Sequence, residues 1–171
     1  FTGTLEFYPE EGKYHFDGHR DCNVVLHPSE SQRHGNLCPT CKKPLTIGVM
    51  NRVQELADRT EEEAKQQKRI PYKSIVPLAE IISEVYGVGV KSKRVCASYD
   101  ELIDNVGSEF HILLEASAPE IAKSGGDALA KAIMRVRSGE IHVEPGYDGV
   151  FGTVNVFAPN EIKKDSQQPL L

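Results

Sequence analysis

Two pairs of candidate metal ligands constrain this chain more than any other feature: His19-x2-Cys22 and Cys38-x2-Cys41, with fifteen residues between Cys22 and Cys38. Two thiolates separated by two residues converge on one point when the backbone between them turns, which suits a tetrahedral ion. One such knuckle supplies two ligands, so a structural zinc needs the second pair, and the spacing is that of a zinc ribbon with a Cys3His site. His15, His27 and His34 also have the chemistry for the fourth place. A redox role for Cys38-Pro39-Thr40-Cys41 has no βαβ pattern around it. A disulfide from Cys22 would need an oxidising compartment, for which nothing else in the sequence speaks. The chain therefore reads as cytoplasmic, and Cys96, inside a helical pattern, as a small buried or half-buried thiol.

With 171 residues the chain holds one domain or two small ones, and 39% hydrophobic against 26% charged residues excludes wholesale disorder. A net charge of −5 excludes a chain held to nucleic acid by bulk charge. Any such contact must be a local patch. Residues 1–73 carry 11 basic and 11 acidic side chains, whereas 74–171 carry 9 and 14, so the cysteine-bearing half is better suited to phosphate. No apolar run approaches the roughly 20 residues of a membrane span, so no membrane partner is expected. The start, Phe1-Thr2-Gly3-Thr4, has no signal-peptide pattern and reads as the inside of a strand.

The periodicities predict an α+β fold: a small zinc-ribbon-like module followed by a mainly helical region with a terminal β-hairpin. Residues 1–59 read as strands at Thr4 to Tyr8 and Lys13 to Phe16, the metal module, and a helix from Ile47 to Arg59 with Val49, Val53, Leu56 and Ala57 on one face. The charged block 60–74 reads as a linker. Residues 75–158 form the helical domain. Leu78, Ile81, Ile82 and Val85 give its first helix, stopped by Gly87. Ser98-x-x-Glu101 and Ser117-x-x-Glu120 read as capping boxes, and a last helix runs from Asp127 to Gly139. The run Phe110 to Leu114 is too short to assign by period. Strands at Glu140 to Glu144 and Thr153 to Phe157 flank a glycine-rich loop, and 159–171 reads as a polar tail.

Candidate phosphate contacts are Lys13, His15, Arg20, Lys42 and Lys43 around the metal module. Lys91, Lys93 and Arg94 follow the Gly87-Val88-Gly89 connector, where backbone N–H groups and cations meet. The cations of the last helix, including Arg137, read as a solvated face. Tyr147 and Phe151, in the loop Pro145 to Gly152, are able to stack on a base, though anchoring to the core fits them better. Catalytic residues remain unknown. Glu10, Glu11, Lys13, His15 and Asp17 crowd together with His19, yet no Ser/His/Asp set, HExxH, deaminase signature or H-x-H ligand series is present, so the chain lacks a complete active site of its own.

Several long strings resemble one family. Glu6 to Arg20 (EFYPEEGKYHFDGHR) looks like the segment after the metal-binding PHP domain of endonuclease Q and its bacterial relatives. Cys38-Pro39-Thr40-Cys41 with Leu45 to Arg59 is similar to the family's zinc region. Pro77 to Ile82 with Gly87-Val88-Gly89, and Arg135 to Gly152, resemble later blocks. The resemblance implies a DNA-repair nuclease that hydrolyses the phosphodiester 5′ to deaminated bases such as hypoxanthine or uracil, or 5′ to abasic sites. It also implies divalent metals on a PHP domain that is absent from these residues, making Phe1 to Thr4 the exit from that domain. The zinc and C-terminal regions would then grip DNA. The competing expectation is a stand-alone zinc-ribbon adaptor for a protein partner.

Overall fold

A computed structural model describes residues 2–158, and the expected tail 159–171 lies outside them. The fold is mixed, with eight helices and three two-stranded sheets among the described residues. The described residues divide into two compact units: 2–4, 8–73 and 143–154 make the first, and 5–7, 74–142 and 155–158 the second.

In the first unit, β2 (Asp17–His19) pairs antiparallel with β3 (Val24–Leu26), with Asp17 opposite Leu26 and His19 opposite Val24. No strand runs from Lys13 to Phe16, where the alternation predicts one. There the chain turns instead, and strand geometry begins at Phe16, whose N–H bonds the Gly146 carbonyl at 2.9 Å. Helix α1 (Pro28–Arg33) starts at a capping box in which the His27 ring serves as the acceptor. Helix α2 (Val49–Leu56) is shorter than expected, and its apolar stripe faces solvent, with Val49 63%, Val53 50% and Leu56 66% exposed. The block read as a linker contains α3 (Glu61–Lys65), opened by a Thr60–Glu63 capping box, and β4 (Tyr72–Ser74), which pairs with β1 (Thr4–Glu6). Among the described residues, the buried apolar side chains of this unit are few: Pro28, Cys38 and Leu45.

The second unit carries the hydrophobic core. Helix α4 (Leu78–Tyr86) buries Leu78, Ile81 and Ile82 and ends on Gly87 in the left-handed region at φ 62°. Helix α5 (Lys93–Asn105) is one thirteen-residue helix capped by Ser92, so Ser98 is no cap. It is buried mid-helix against the Tyr86 hydroxyl at 3.0 Å. Cys96 is exposed, contrary to expectation, because the inward positions of α5 are Val95, Ser98 and Leu102. The unassigned run is α6 (Glu109–Leu114), with Ile112 and Leu113 buried. Helix α7 (Ala118–Gly125), with its expected Ser117 capping box, packs against α8 (Asp127–Ser138), the expected last helix, closed by Gly139 at φ 74°. Arg137 is not on a solvated face. It donates to the Ile112 and Leu113 carbonyls at 2.6 and 3.0 Å, satisfying the end of α6, and burial lowers its pKa.

The expected terminal hairpin is present as β5 (His142–Glu144) and β6 (Thr153–Asn155). The loop between them, assigned above to the helical region, groups with the first unit. Its backbone bonds explain why: Gly146 donates to Glu10, Gly149 to Lys13 and Gly152 to Glu11, at 2.8, 2.9 and 3.1 Å.

Candidate metal centre

His19 ends β2, and a single 3-10 turn, Arg20–Cys22, carries the chain to Cys22 before Asn23 takes a left-handed conformation at φ 51°. The second knuckle closes by two backbone bonds, Cys38 N–H to Lys43 O at 2.8 Å and Lys42 N–H to Cys38 O at 2.9 Å, with Lys42 left-handed at φ 63°. Gly18 exchanges backbone bonds with Thr46 on the opposite edge of β2, which draws the knuckle's exit strand against His19. A side chain at Gly18 would collide with the Val24 carbonyl at 2.7 Å and with Tyr147, so only glycine permits this approach.

The ligand atoms of His19, Cys22, Cys38 and Cys41 all lie within 4.8 Å of one another, and Cys41 Sγ is 3.6 Å from His19 Nδ1. A tetrahedral site with bonds of about 2.0–2.3 Å places its ligands roughly 3.4–3.8 Å apart, so this donor set fits one four-coordinate ion. Cys38 is buried, His19 and Cys22 are half-buried, and all four cysteines are free thiols. Burial, with hydrogen bonds to Cys41 and Cys38, pushes the Cys22 thiol up to about 11. Burial would also raise Cys38, but N–H groups of Cys41 and Thr40 reverse the balance and bring it to about 7. One ready thiolate, Cys38, therefore sits beside Cys22, whose proton an arriving ion would displace. The competing histidines are elsewhere: His27 caps α1, His34 ends it, and His15 is buried.

Behind the knuckles lies Asp17, fully buried, which the sequence pattern shows only as one member of a charged cluster. Its carboxylate accepts from Gly48 N–H and Asn51 Nδ2, both at 2.7 Å, and from the Ser31 hydroxyl, tying β2 to α1 and α2. Asp148 plays the matching part from the loop, accepting from Arg20 N–H at 2.7 Å and Thr46 Oγ1 at 2.5 Å. Burial alone would raise its pKa, but those bonds and nearby Arg20 hold it below the usual carboxylate range. Neither aspartate is marked by spacing, because their partners are distant in sequence.

Of the candidate phosphate contacts around this centre, Lys13, Arg20, Lys42 and Lys43 are exposed. The Lys42 ammonium folds back onto the Pro39 carbonyl at 3.0 Å. His15 is no surface group, being 8% exposed with its ring 5.1 Å from that of Phe16. Lys91, Lys93 and Arg94 are exposed at the start of α5, in the second unit, where the Arg94 guanidinium lies 4.1 Å over the Tyr86 ring. Tyr147 and Phe151 part company. Tyr147 packs on Gly18, whereas Phe151 is 70% exposed and is not core.

The resemblance to endonuclease Q is borne out along nearly the whole chain. The structure of PfuEndoQ from Pyrococcus furiosus, described as a novel lesion-specific endonuclease, superposes with a TM-score of 0.76 at 32% identity, over 94% of this chain and 38% of that one. Endonuclease Q in complex with a 27-mer duplex bearing an abasic lesion at its active site gives a TM-score of 0.70 at 32% identity, over 92% and 38%. Residues 77–140 match the family described as the MJ0043 C-terminal domain. Protein MJ0043 of Methanocaldococcus jannaschii is 32% identical over 91% of this chain and 19% of its own length, and YqxK of Bacillus subtilis 29% identical over 85% and 33%. The chain thus spans between about a fifth and two fifths of these relatives. No helix among the described residues is long and apolar enough to cross a membrane.

Proposed function

We propose that this chain is the zinc-binding and DNA-engaging portion of a cytoplasmic, lesion-specific DNA endonuclease of the endonuclease Q type, one that incises 5′ to deaminated bases or abasic sites. The observation that carries this reading is the likeness to PfuEndoQ over 94% of the chain, joined to a similar structure solved on abasic duplex DNA. His19, Cys22, Cys38 and Cys41 would hold the zinc. Four protein ligands leave no open position for a reacting water, so the ion is structural. The hydrolytic metals would belong to a PHP domain outside these residues, following the resemblance. Lys13, Arg20, Lys42 and Lys43 supply phosphate contacts in the first unit, and Lys91, Lys93 and Arg94 in the second.

The test has three readings on one preparation. The chain should contain one zinc, and Cys38→Ser should lose it; unchanged stoichiometry would sink the site. The chain should bind abasic duplex DNA with a salt-sensitive affinity. It should not cut. Robust metal-dependent nicking of uracil- or hypoxanthine-containing DNA by these residues alone would overturn the assignment of catalysis elsewhere. A second reading, a zinc-ribbon adaptor for a protein, draws on the exposed apolar stripe of α2. It predicts no DNA binding at all.

A further inference from the structure

The loop Pro145 to Gly152 is fixed to the metal module at nearly every turn. Beside the three amide bonds to Glu10, Glu11 and Lys13, Phe16 N–H reaches Gly146 O, Tyr147 and Val150 exchange bonds at 3.0 and 2.7 Å, and Asp148 is held by Arg20 and Thr46. Gly149 sits in the left-handed region at φ 85°, which allows the tight reversal. Out of this ordered loop stands Phe151, 70% exposed. Leaving such a ring in water forgoes the stabilisation of burial, with no structural return here.

Its surroundings have one chemical character. The Lys13 ammonium lies 5.7 Å from the centre of the Phe151 ring and 5.5 Å from that of Tyr14, itself 45% exposed. Arg20 Nη1 and the Tyr14 hydroxyl come within 3.6 and 3.8 Å of the point where a side chain on Gly149 would begin. The loop's own carboxylate, Asp148, bonds to Thr46 and the Arg20 amide. Two exposed rings and two cations therefore share one edge, on a backbone already ordered, so little conformational freedom is lost when a flat, anionic partner arrives.

We propose that Phe151, with Tyr14, Lys13 and Arg20, is a stacking site for an unpaired nucleobase, the cations taking its adjoining phosphate. This deepens the DNA-engaging reading and rests on it. Stacking requires only the base's face, so the site distinguishes unpaired from paired DNA without reading sequence. A protein partner is the other possible cover for Phe151, and the experiment separates the two.

The chain has no tryptophan, so Phe151→Trp installs a single fluorescent reporter in the full chain. Its emission should be quenched by a single-stranded oligothymidine and by an abasic duplex, and much less by an intact duplex. Phe151→Ala should weaken binding to the unpaired forms by about five-fold or more, the lower end of measured base–aromatic stacking, and leave intact duplex binding within about two-fold. Phe151→Leu, which keeps the bulk and loses the aromatic face, should be as weak as alanine. Unchanged zinc content and melting would show these variants folded, as expected for a ring mostly in solvent. If the oligonucleotides bind by anisotropy but the tryptophan emission does not change, or Phe151→Ala binds every form as tightly as the wild type, the stacking site is wrong while the DNA reading stands. If the wild-type chain binds no DNA, both fail.

Discussion

Replacing Asp17 with alanine is the sharpest probe of how the metal module is held together. The carboxylate is fully buried, and three donors converge on it: Gly48 N–H and Asn51 Nδ2 at 2.7 Å, and the Ser31 hydroxyl. Hydrogen bonds to a charged group are worth about 1.5–3 kcal/mol each net, and a buried donor left unmade costs about 1–3 kcal/mol. The three losses are unequal. The single hydroxyl proton of Ser31 is able to turn to the Pro28 carbonyl at 3.0 Å, and half-exposed Asn51 is able to turn to water. Gly48 N–H has neither escape, and removing the acid also removes the desolvation cost of a buried charge. The net loss should be about 3–5 kcal/mol, against a typical domain stability of about 5–15 kcal/mol. Asp17→Asn, which keeps one acceptor, should lose about half as much. Native-state amide exchange reads this directly: residues 17–51 should lose protection while α4 through α8 keep theirs. A destabilisation under about 1 kcal/mol would refute the view that this carboxylate organises the module.

Two further outcomes follow from carboxylates at other junctions. Asp148 has a folded pKa below its ordinary 3.8, so its stabilising effect is complete above that value and is lost as pH falls through the lower folded one. Amides of residues 145–152 should therefore lose protection on acidification below about pH 4, and Asp148→Asn should abolish that pH dependence. If the wild-type loop keeps full protection in acid, the Asp148 clamp is not what holds it. In the second unit, Glu84 accepts from Val156 and Phe157 N–H at 2.8 Å each. Glu84→Gln turns one acceptor into a donor and should cost about 2 kcal/mol, visible as faster exchange at those two amides and no change in zinc content.

What was legible in the sequence is what is enforced locally. Cys38-x-x-Cys41 needs only its own turn to converge, and the Ser117 capping box and the Gly87 and Gly139 stops are each settled within five residues. Three of the errors share one cause, a partner distant in sequence. Ser98 looked like a cap because Ser-x-x-Glu is a cap pattern, but Tyr86, twelve residues back, makes it an interior residue. Asp17 reads as one member of a charged cluster until Ser31, Gly48 and Asn51, 14 to 34 residues later, make it the floor of the module. The loop after β5 looked like part of the helical region because it follows it in the chain. Its bonds to Glu10, Glu11, Lys13 and Arg20 span more than 120 residues, and no local pattern encodes that.

The distribution of buried apolar side chains explains why the ribbon needs its cluster. The second unit buries Leu78, Ile81, Ile82, Leu102, Ile112, Ile121, Leu129 and Ile133 and is held by an ordinary hydrophobic core. The first unit contributes only Pro28, Cys38 and Leu45 to the buried apolar set among the described residues, and the apolar face of α2 is exposed. Apolar burial at about 25 cal/mol per Å² cannot offset the conformational entropy of so many ordered residues from so few side chains. Something else must supply the free energy. Asp17 and Asp148 account for a few kcal/mol, whereas a structural zinc contributes about 10–16 kcal/mol of apparent binding free energy in small finger peptides. An ion at His19, Cys22, Cys38 and Cys41 would join two knuckles fifteen residues apart and fix Arg20, whose amide holds Asp148. The same ion would therefore determine whether the loop stands in place to present Phe151, which couples the structural metal to recognition without giving it any part in the chemistry.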